Sequence, residues 1–204
     1  MMWWECSCDC NVGIVGYRLF RKDRQGRRGR GVTLYVNDQL ECTEVCLGMD
    51  EELTFRIKGR AGTVDIVVGI CYRSPNQEGV AGEALYRQQV GAASRSQALV
   101  FMGNFNHPDI CWRDNTAGHK QPRRFLACID DNFLLQVTEK PTRRGVMLDL
   151  VLTNKEGLVR NVKLKGSLGC SDHEMVDFEI LRTARRAHSK LTTVQPRRAD
   201  FGSC

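Results

Sequence analysis

Between Ala98 and Pro108 the chain reads Ala-Leu-Val-Phe-Met-Gly-Asn-Phe-Asn-His-Pro, and few stretches restrict its possible folds more. A short apolar run from Leu99 to Met102 stops abruptly in turn-forming residues. That is the pattern of a buried strand leaving a sheet with polar side chains at its mouth. Gly103 permits a tight backbone turn, and Pro108 ends any ladder. Asn104 and Asn106, at spacing i, i+2, share a face if the strand persists through Phe105. Taken alone, the stretch is equally an ordinary strand-to-loop exit, since Gly, Asn and Pro are the usual turn residues. A later exit of the same kind, with carboxylates and a histidine, adds functional weight.

A chain of 204 residues suits one domain, with or without a tail, and 42% hydrophobic residues can bury a real core. Lys plus Arg outnumber Asp plus Glu by 30 to 24, a net +6 that fits a polyanion partner without requiring one. No apolar run approaches membrane-spanning length, and the start lacks a basic-then-apolar signal pattern. An intracellular chain, nuclear or cytoplasmic, with no membrane partner is therefore expected. The ten cysteines then read as reduced thiols rather than a disulfide framework. Cys6, Cys8 and Cys10 lack a partner pair at zinc-ligand spacing, which argues against a metal centre there.

Residues 1–15 read as an atypical leader, 16–181 as the domain, and 182–204 as a basic linker or disordered tail. The stretch from Tyr17 to Arg30, carrying Arg18, Arg21, Arg27 and Arg28, is glycine-rich and reads as a loop. It is either a solvated hairpin tip or a phosphate-backbone contact. Strands are expected at Gly31–Val36, Leu53–Ile57, Val64–Tyr72, Leu99–Met102, Met147–Leu152, Val159–Lys165 and Glu174–Leu181. Helices are expected at Glu83–Ala93 and Pro122–Asp131, the second with Phe125, Leu126 and Ile129 on one face. Strands dominate and helices are interspersed, which predicts an α/β (α+β) fold of two packed sheets with helices outside.

Polar residues collect at the strand ends. Tyr72 and Arg73 close one strand before Pro75, and Asp149 interrupts the apolar Met147–Leu152 run. Ser171-Asp172-His173 precedes the last strand. A buried carboxylate needs a partner, and His173 is the obvious one for Asp149, which would set the imidazole tautomer. Asp172 is then free for a hard cation such as Mg²⁺. Each residue also has an ordinary role available: Tyr72 in the core, Asp149 in a structural ion pair, Ser171-Asp172 in a turn.

Their joint order is more specific. Tyr72-Arg73, then Gly103-Asn104-Phe105-Asn106, Leu148-Asp149-Leu150 and Ser171-Asp172-His173 resemble the endonuclease/exonuclease/phosphatase superfamily, the fold of deoxyribonuclease I. Further stretches narrow this. Gly16 to Arg21, Arg73-Ser74-Pro75, Ser94 to Leu99, Phe105 to Trp112, Leu148 to Asn154 and Gly169 to His173 are similar to the endonuclease region of LINE (non-LTR) retrotransposons of the chicken-repeat class. The resemblance runs from about Trp3 to Phe201.

It implies a deoxyribonuclease I-like domain that uses Mg²⁺ to hydrolyse a phosphodiester. The product is a nick in DNA that primes target-primed reverse transcription. Asp172 would be a metal ligand, and His173, oriented by Asp149, would stabilise the pentavalent phosphate. Tyr72 would position that phosphate, and Asn106 would donate to it or to the attacking water. Arg18, Arg21, Arg27, Arg28 and Arg73 would contact nucleic acid. A reverse transcriptase follows the domain in the family and is not expected within this chain.

The chain departs from that pattern at two places. The family has Gly-Asp-Phe-Asn where this chain has Asn104, and the amide cannot act as the general base that activates water. Such a loss costs about 10²- to 10⁴-fold in rate. The family also carries a metal-binding Glu two residues before the pair Trp3-Trp4, where Met1 stands here, and an N-terminally truncated fold is expected. The leading expectation is therefore a retrotransposon-derived endonuclease-like domain that is catalytically impaired. The alternatives are an active Mg²⁺-dependent nuclease and a non-enzymatic nucleic-acid-binding remnant. Asn104→Asp alone is not expected to restore full nicking.

Overall fold

A computed structural model of the chain describes residues 13–23, 31–45, 52–73, 96–167 and 172–181. Its centre is the strand β5 (Ile66–Tyr72), an almost unbroken apolar run buried on both sides, as expected for an inner strand of a covered sheet. β6 (Leu99–Asn104) lies parallel to it, pairing Val67 with Leu99 and Tyr72 with Asn104. With β3 (Cys42–Glu44), β4 (Glu52–Ile57), β9 (Leu135–Gln136) and β10 (Asp149–Thr153) they make a six-stranded sheet in the order β3-β4-β5-β6-β10-β9. Every other pairing in that sheet is antiparallel.

Side-chain alternation divides the core into two faces. On one, Val67, Cys71, Leu99, Phe101, Leu150 and Leu152 meet the helix α1 (Lys120–Asp131) through Phe125, Leu126, Cys128 and Ile129. The short hairpin of β7 (Ile110–Cys111) and β8 (Thr116–Ala117) joins this side through Ile110. Phe105 is fully buried here, its ring centroid 5.5 Å from that of Phe101 and 5.2 Å from that of Phe125.

The opposite face is covered by two hairpins. β11 (Val159–Ser167) and β12 (Glu174–Ile180) pack Leu158, Val159, Val176 and Phe178 against Val68, Val100 and Val151. β1 (Tyr17–Asp23) and β2 (Gly31–Asn37) pack Phe20, Val32 and Leu34 against Leu53, Phe55 and Ile70.

The expected mixed α/β class is found, with sheets and few helices. The second layer differs from the expected single sheet. Among the described residues β1-β2 and β11-β12 are separate two-stranded units with no ladder between them. The stretch read as a loop from Tyr17 is also partly strand. Tyr17–Asp23 pairs along its whole length with β2, because Phe20 finds apolar cover that the basic composition obscured. The expected helix at Glu83–Ala93, the Cys6–Cys10 run, Arg27 and Arg28, and the basic tail lie outside the described residues.

Candidate active site

β5, β6 and β10 deliver one polar residue each to the same level of the sheet. Tyr72 pairs with Asn104, and Asn104 pairs on its other side with Asp149. Paired positions on neighbouring strands share a face. The row Tyr72, Asn104, Asp149 therefore lies on the hairpin-covered face, at the end of β5 and β6. The residue just before β12 completes it. His173 Nδ1 stands 2.7 Å from Asp149 Oδ2, with both side chains about a quarter exposed. The carboxylate accepts the Nδ1–H bond, and Nε2 lies 3.9 Å from Asp172 Oδ1.

Asp149 is held from behind. Thr142 is fully buried, and its Oγ1 accepts from the backbone N–H of Leu148 at 3.1 Å and of Asp149 at 2.9 Å. Its carbonyl accepts the N–H of Glu174 at 2.7 Å, which ties the start of β12 to the same point. Thr142→Val keeps the shape but leaves two N–H groups without an acceptor. The expected cost is about 3 kcal/mol of unfolding free energy, measured as a lower urea midpoint. A loss under about 0.5 kcal/mol would mean that water replaces the hydroxyl.

The loop after β6 is locked by a reciprocal exchange. Arg73 donates from Nη1 to the Asn106 carbonyl at 3.0 Å, and Asn106 Nδ2 donates to the Arg73 carbonyl at 2.5 Å. Asn104 Oδ1 accepts the Asn106 N–H at 3.0 Å, and Asn106 sits at φ 48°. Arg73 Nη2 also donates to Gln121 Oε1 at 2.9 Å, joining the loop to α1. With Arg73 only 6% exposed, its guanidinium is built into the wall of the site rather than offered to a phosphate backbone. The Asn106 amide likewise serves the loop. Arg18 and Arg21 are exposed on β1, and Arg18 also bonds the Leu40 carbonyl.

Asp172 has partners that the sequence reading missed. Its Oδ2 accepts a hydrogen bond from Arg143 Nε at 3.0 Å and forms ion pairs with Arg143 Nη2 at 3.0 Å and Arg144 Nη2 at 3.2 Å. The hydrogen bond from Arg143, and the charge of both guanidiniums, hold the Asp172 carboxyl below its usual range. Arg144 and Gly145 form the tip of a tight hairpin closed by the Arg143–Val146 bridge, with φ 45° and 81°. Positive φ at both central residues marks a type I′ turn. A glycine placed just before a strand was the available signal for this turn. Nothing in the sequence linked its arginines to a residue some thirty positions on.

A hard cation prefers several carboxylate oxygens. Among the described residues no three Asp, Glu, His or Cys side chains gather as a metal cage. Asp172 is engaged by two cations, Asp149 by His173, and position 104 is a neutral amide. The described donors do not fit Mg²⁺ as they stand.

The sequence profile of the endonuclease-reverse transcriptase family matches residues 66–177, which span the three strand ends and His173. The chain belongs to that family. This family member also shares its fold with solved structures. The endonuclease domain of TRAS1, a telomere-specific non-LTR retrotransposon, superposes with a TM-score of 0.66 at 16% identity, over 82% of this chain and 79% of that one. The AP endonuclease LMAP of Leishmania major gives 0.58 at 12% identity, over 81% and 72%. The 3′ phosphatase NExo from Neisseria, solved with a product DNA hairpin, gives 0.53 at 16%, over 81% and 79%. No curated protein matches the family member in sequence. At these identities the structural likeness speaks for the fold, a deoxyribonuclease I-like one.

Proposed function

We propose that this endonuclease-like domain binds DNA across the end of β5, β6 and β10 and acts on a phosphodiester there, as a retrotransposon nuclease would to prime reverse transcription. The 2.7 Å Asp149–His173 pair beside Tyr72 and Asn104 carries this reading. His173, fixed by Asp149, donates an Nε2–H to the phosphoryl oxygens as the imidazolium, and Tyr72 positions the phosphate from the neighbouring strand. Asn104 and Asn106 shape the loop beneath it.

What this copy lacks is a carboxylate at position 104. An amide takes no proton from water at neutral pH, so turnover is expected to be impaired by about 10²- to 10⁴-fold. Mg²⁺ remains the family expectation, but it would reach Asp172 only by displacing Arg143 and Arg144, so weak binding is expected. The same absence of a base favours a second reading, a nucleic-acid-binding remnant without catalysis.

Nicking of supercoiled plasmid by the purified protein, with Mg²⁺ or with EDTA, tests the proposal. Slow nicking is expected, lost in His173→Ala and accelerated about 10²-fold in Asn104→Asp. Absence of nicking by both the wild type and Asn104→Asp, with DNA binding intact, would leave only the remnant. Nicking that survives His173→Ala would remove the site from the account altogether.

A further inference from the structure

Two adjacent guanidiniums on one turn and the neighbouring His173 imidazole surround one exposed carboxylate. Arg143 donates from Nε to Asp172 Oδ2 at 3.0 Å, its Nη2 and that of Arg144 pair with the same oxygen at 3.0 and 3.2 Å, and His173 Nε2 lies 3.9 Å from Asp172 Oδ1. A guanidinium fork fits a carboxylate and a phosphate equally well, since both present two oxygens in one plane. We propose that Arg143, Arg144 and His173 form an anion pocket for a backbone phosphate of the bound strand, and that Asp172 fills this pocket in the free protein and yields it on binding. This rests on the nucleic-acid reading above and gives Asp172 a role opposite to that of a metal ligand.

The exchange is physically easy. Asp172 is 36% exposed, and Arg143 and Arg144 are 37% and 79% exposed. Ion pairs this open to water contribute little, so a phosphate can replace the carboxylate at little cost. Arg144 engages Asp172 through a single nitrogen, whereas a guanidinium has five N–H donors. Its side chain is presented at the tip of the type I′ turn, where φ 45° is costly for a residue with a Cβ. The pocket is also rigidly mounted, because buried Thr142 binds the turn, the Asp149 backbone and the start of β12 together.

Asp172→Asn then removes the internal competitor, and Arg144→Gln removes a ligand of the phosphate. Binding of a labelled 20-base-pair duplex is followed by anisotropy in EDTA over a range of KCl. Arg144→Gln should weaken binding and reduce the salt slope by about 1, one phosphate contact. Asp172→Asn should tighten binding about 5-fold. Arg144→Lys, which keeps the charge, should retain the slope, and Lys58→Gln, at the opposite end of the sheet, is the control. Weaker binding by Asp172→Asn, or an Arg144→Gln no different from Lys58→Gln, would overturn the pocket.

A second arm needs no DNA. Inorganic phosphate, titrated into each variant in EDTA, is followed at the His173 imidazole by NMR, with thermal melts to confirm folding. Phosphate should shift the resonance in the wild type, at lower concentration in Asp172→Asn, and not in Arg144→Gln. If that pattern holds and no variant binds the duplex, the pocket stands and the nucleic-acid reading falls. If the duplex binds and phosphate leaves His173 unmoved, the pocket falls and the reading stands.

Discussion

Gly103→Ala is expected to lower the unfolding free energy by about 4 kcal/mol or more, a large share of the roughly 5–15 kcal/mol that keeps a domain folded. Gly103 pairs with Cys71 on one side and Leu150 on the other, in the middle of the sheet. A Cβ built there lies 1.9 Å from the Cys71 carbonyl oxygen and 2.9 Å from its carbon, and φ is +141°. The obstacle is backbone, so no side-chain rotation relieves it. β5 and β6 must separate, or the strand must change conformation, and either choice moves Tyr72 and Asn104 out of line. Gly62→Ala is the control, because φ there is +81° but nothing lies within 4 Å of the added Cβ. It should lose only about 1 kcal/mol. Urea unfolding followed by tryptophan fluorescence measures both, and equal midpoints would show that the two strands are not so closely apposed.

The second large effect is with acid. His107 is 4% exposed, with its ring stacked on Phe125 at 4.7 Å between centroids. Burial lowers its pKa to about 3, and the neighbouring Arg73 guanidinium pushes the same way. The folded protein therefore keeps this imidazole neutral between about pH 6.5 and 3, while the unfolded chain takes up the proton. Stability is complete above pH 6.5 and falls as the pH drops through that window, by about 1.4 kcal/mol for each unit. Carboxylates held low by cations, Asp172 and Asp177 among them, add their losses only below about 3.8. Urea midpoints at pH 7 and pH 4.5 isolate the histidine. His107→Phe keeps a stacked ring and should largely flatten the difference, whereas an acid limb as steep as that of the wild type would put the cause elsewhere. Protonation sets a second cation against Arg73, whose guanidinium clamps Asn106. The loop under the candidate site should thus loosen first.

Much was legible in the residues themselves. Runs such as Ile66–Tyr72 and Leu99–Met102 announce buried strands, and their polar endings mark where a site could lie. The carboxylate of Asp149, stranded among Leu and Val, required a partner, and His173 is that partner at 2.7 Å. Phe125, Leu126 and Ile129 marked the buried face of α1 correctly. Such features are local, because they depend on side-chain alternation, turn chemistry and the cost of burying a charge. Family membership was legible for the same reason, since motif residues stand at strand ends whose spacing is written in the chain.

Register and exposure were decided elsewhere. Only the ladder shows that Tyr72, Asn104 and Asp149 stand abreast, because a shift of one residue would send the row to the α1 face. Arg73 reads as a free cation in sequence, yet it is buried and clasped to Asn106 and Gln121, partners 33 and 48 positions away. Asp172 reads as a free ligand, yet Arg143 and Arg144 arrive from a turn 29 and 28 residues earlier. A sequence determines which groups must find partners. Which partners they find depends on long-range closure of the sheet, and it brings together residues whose separation along the chain carries no trace of their contact.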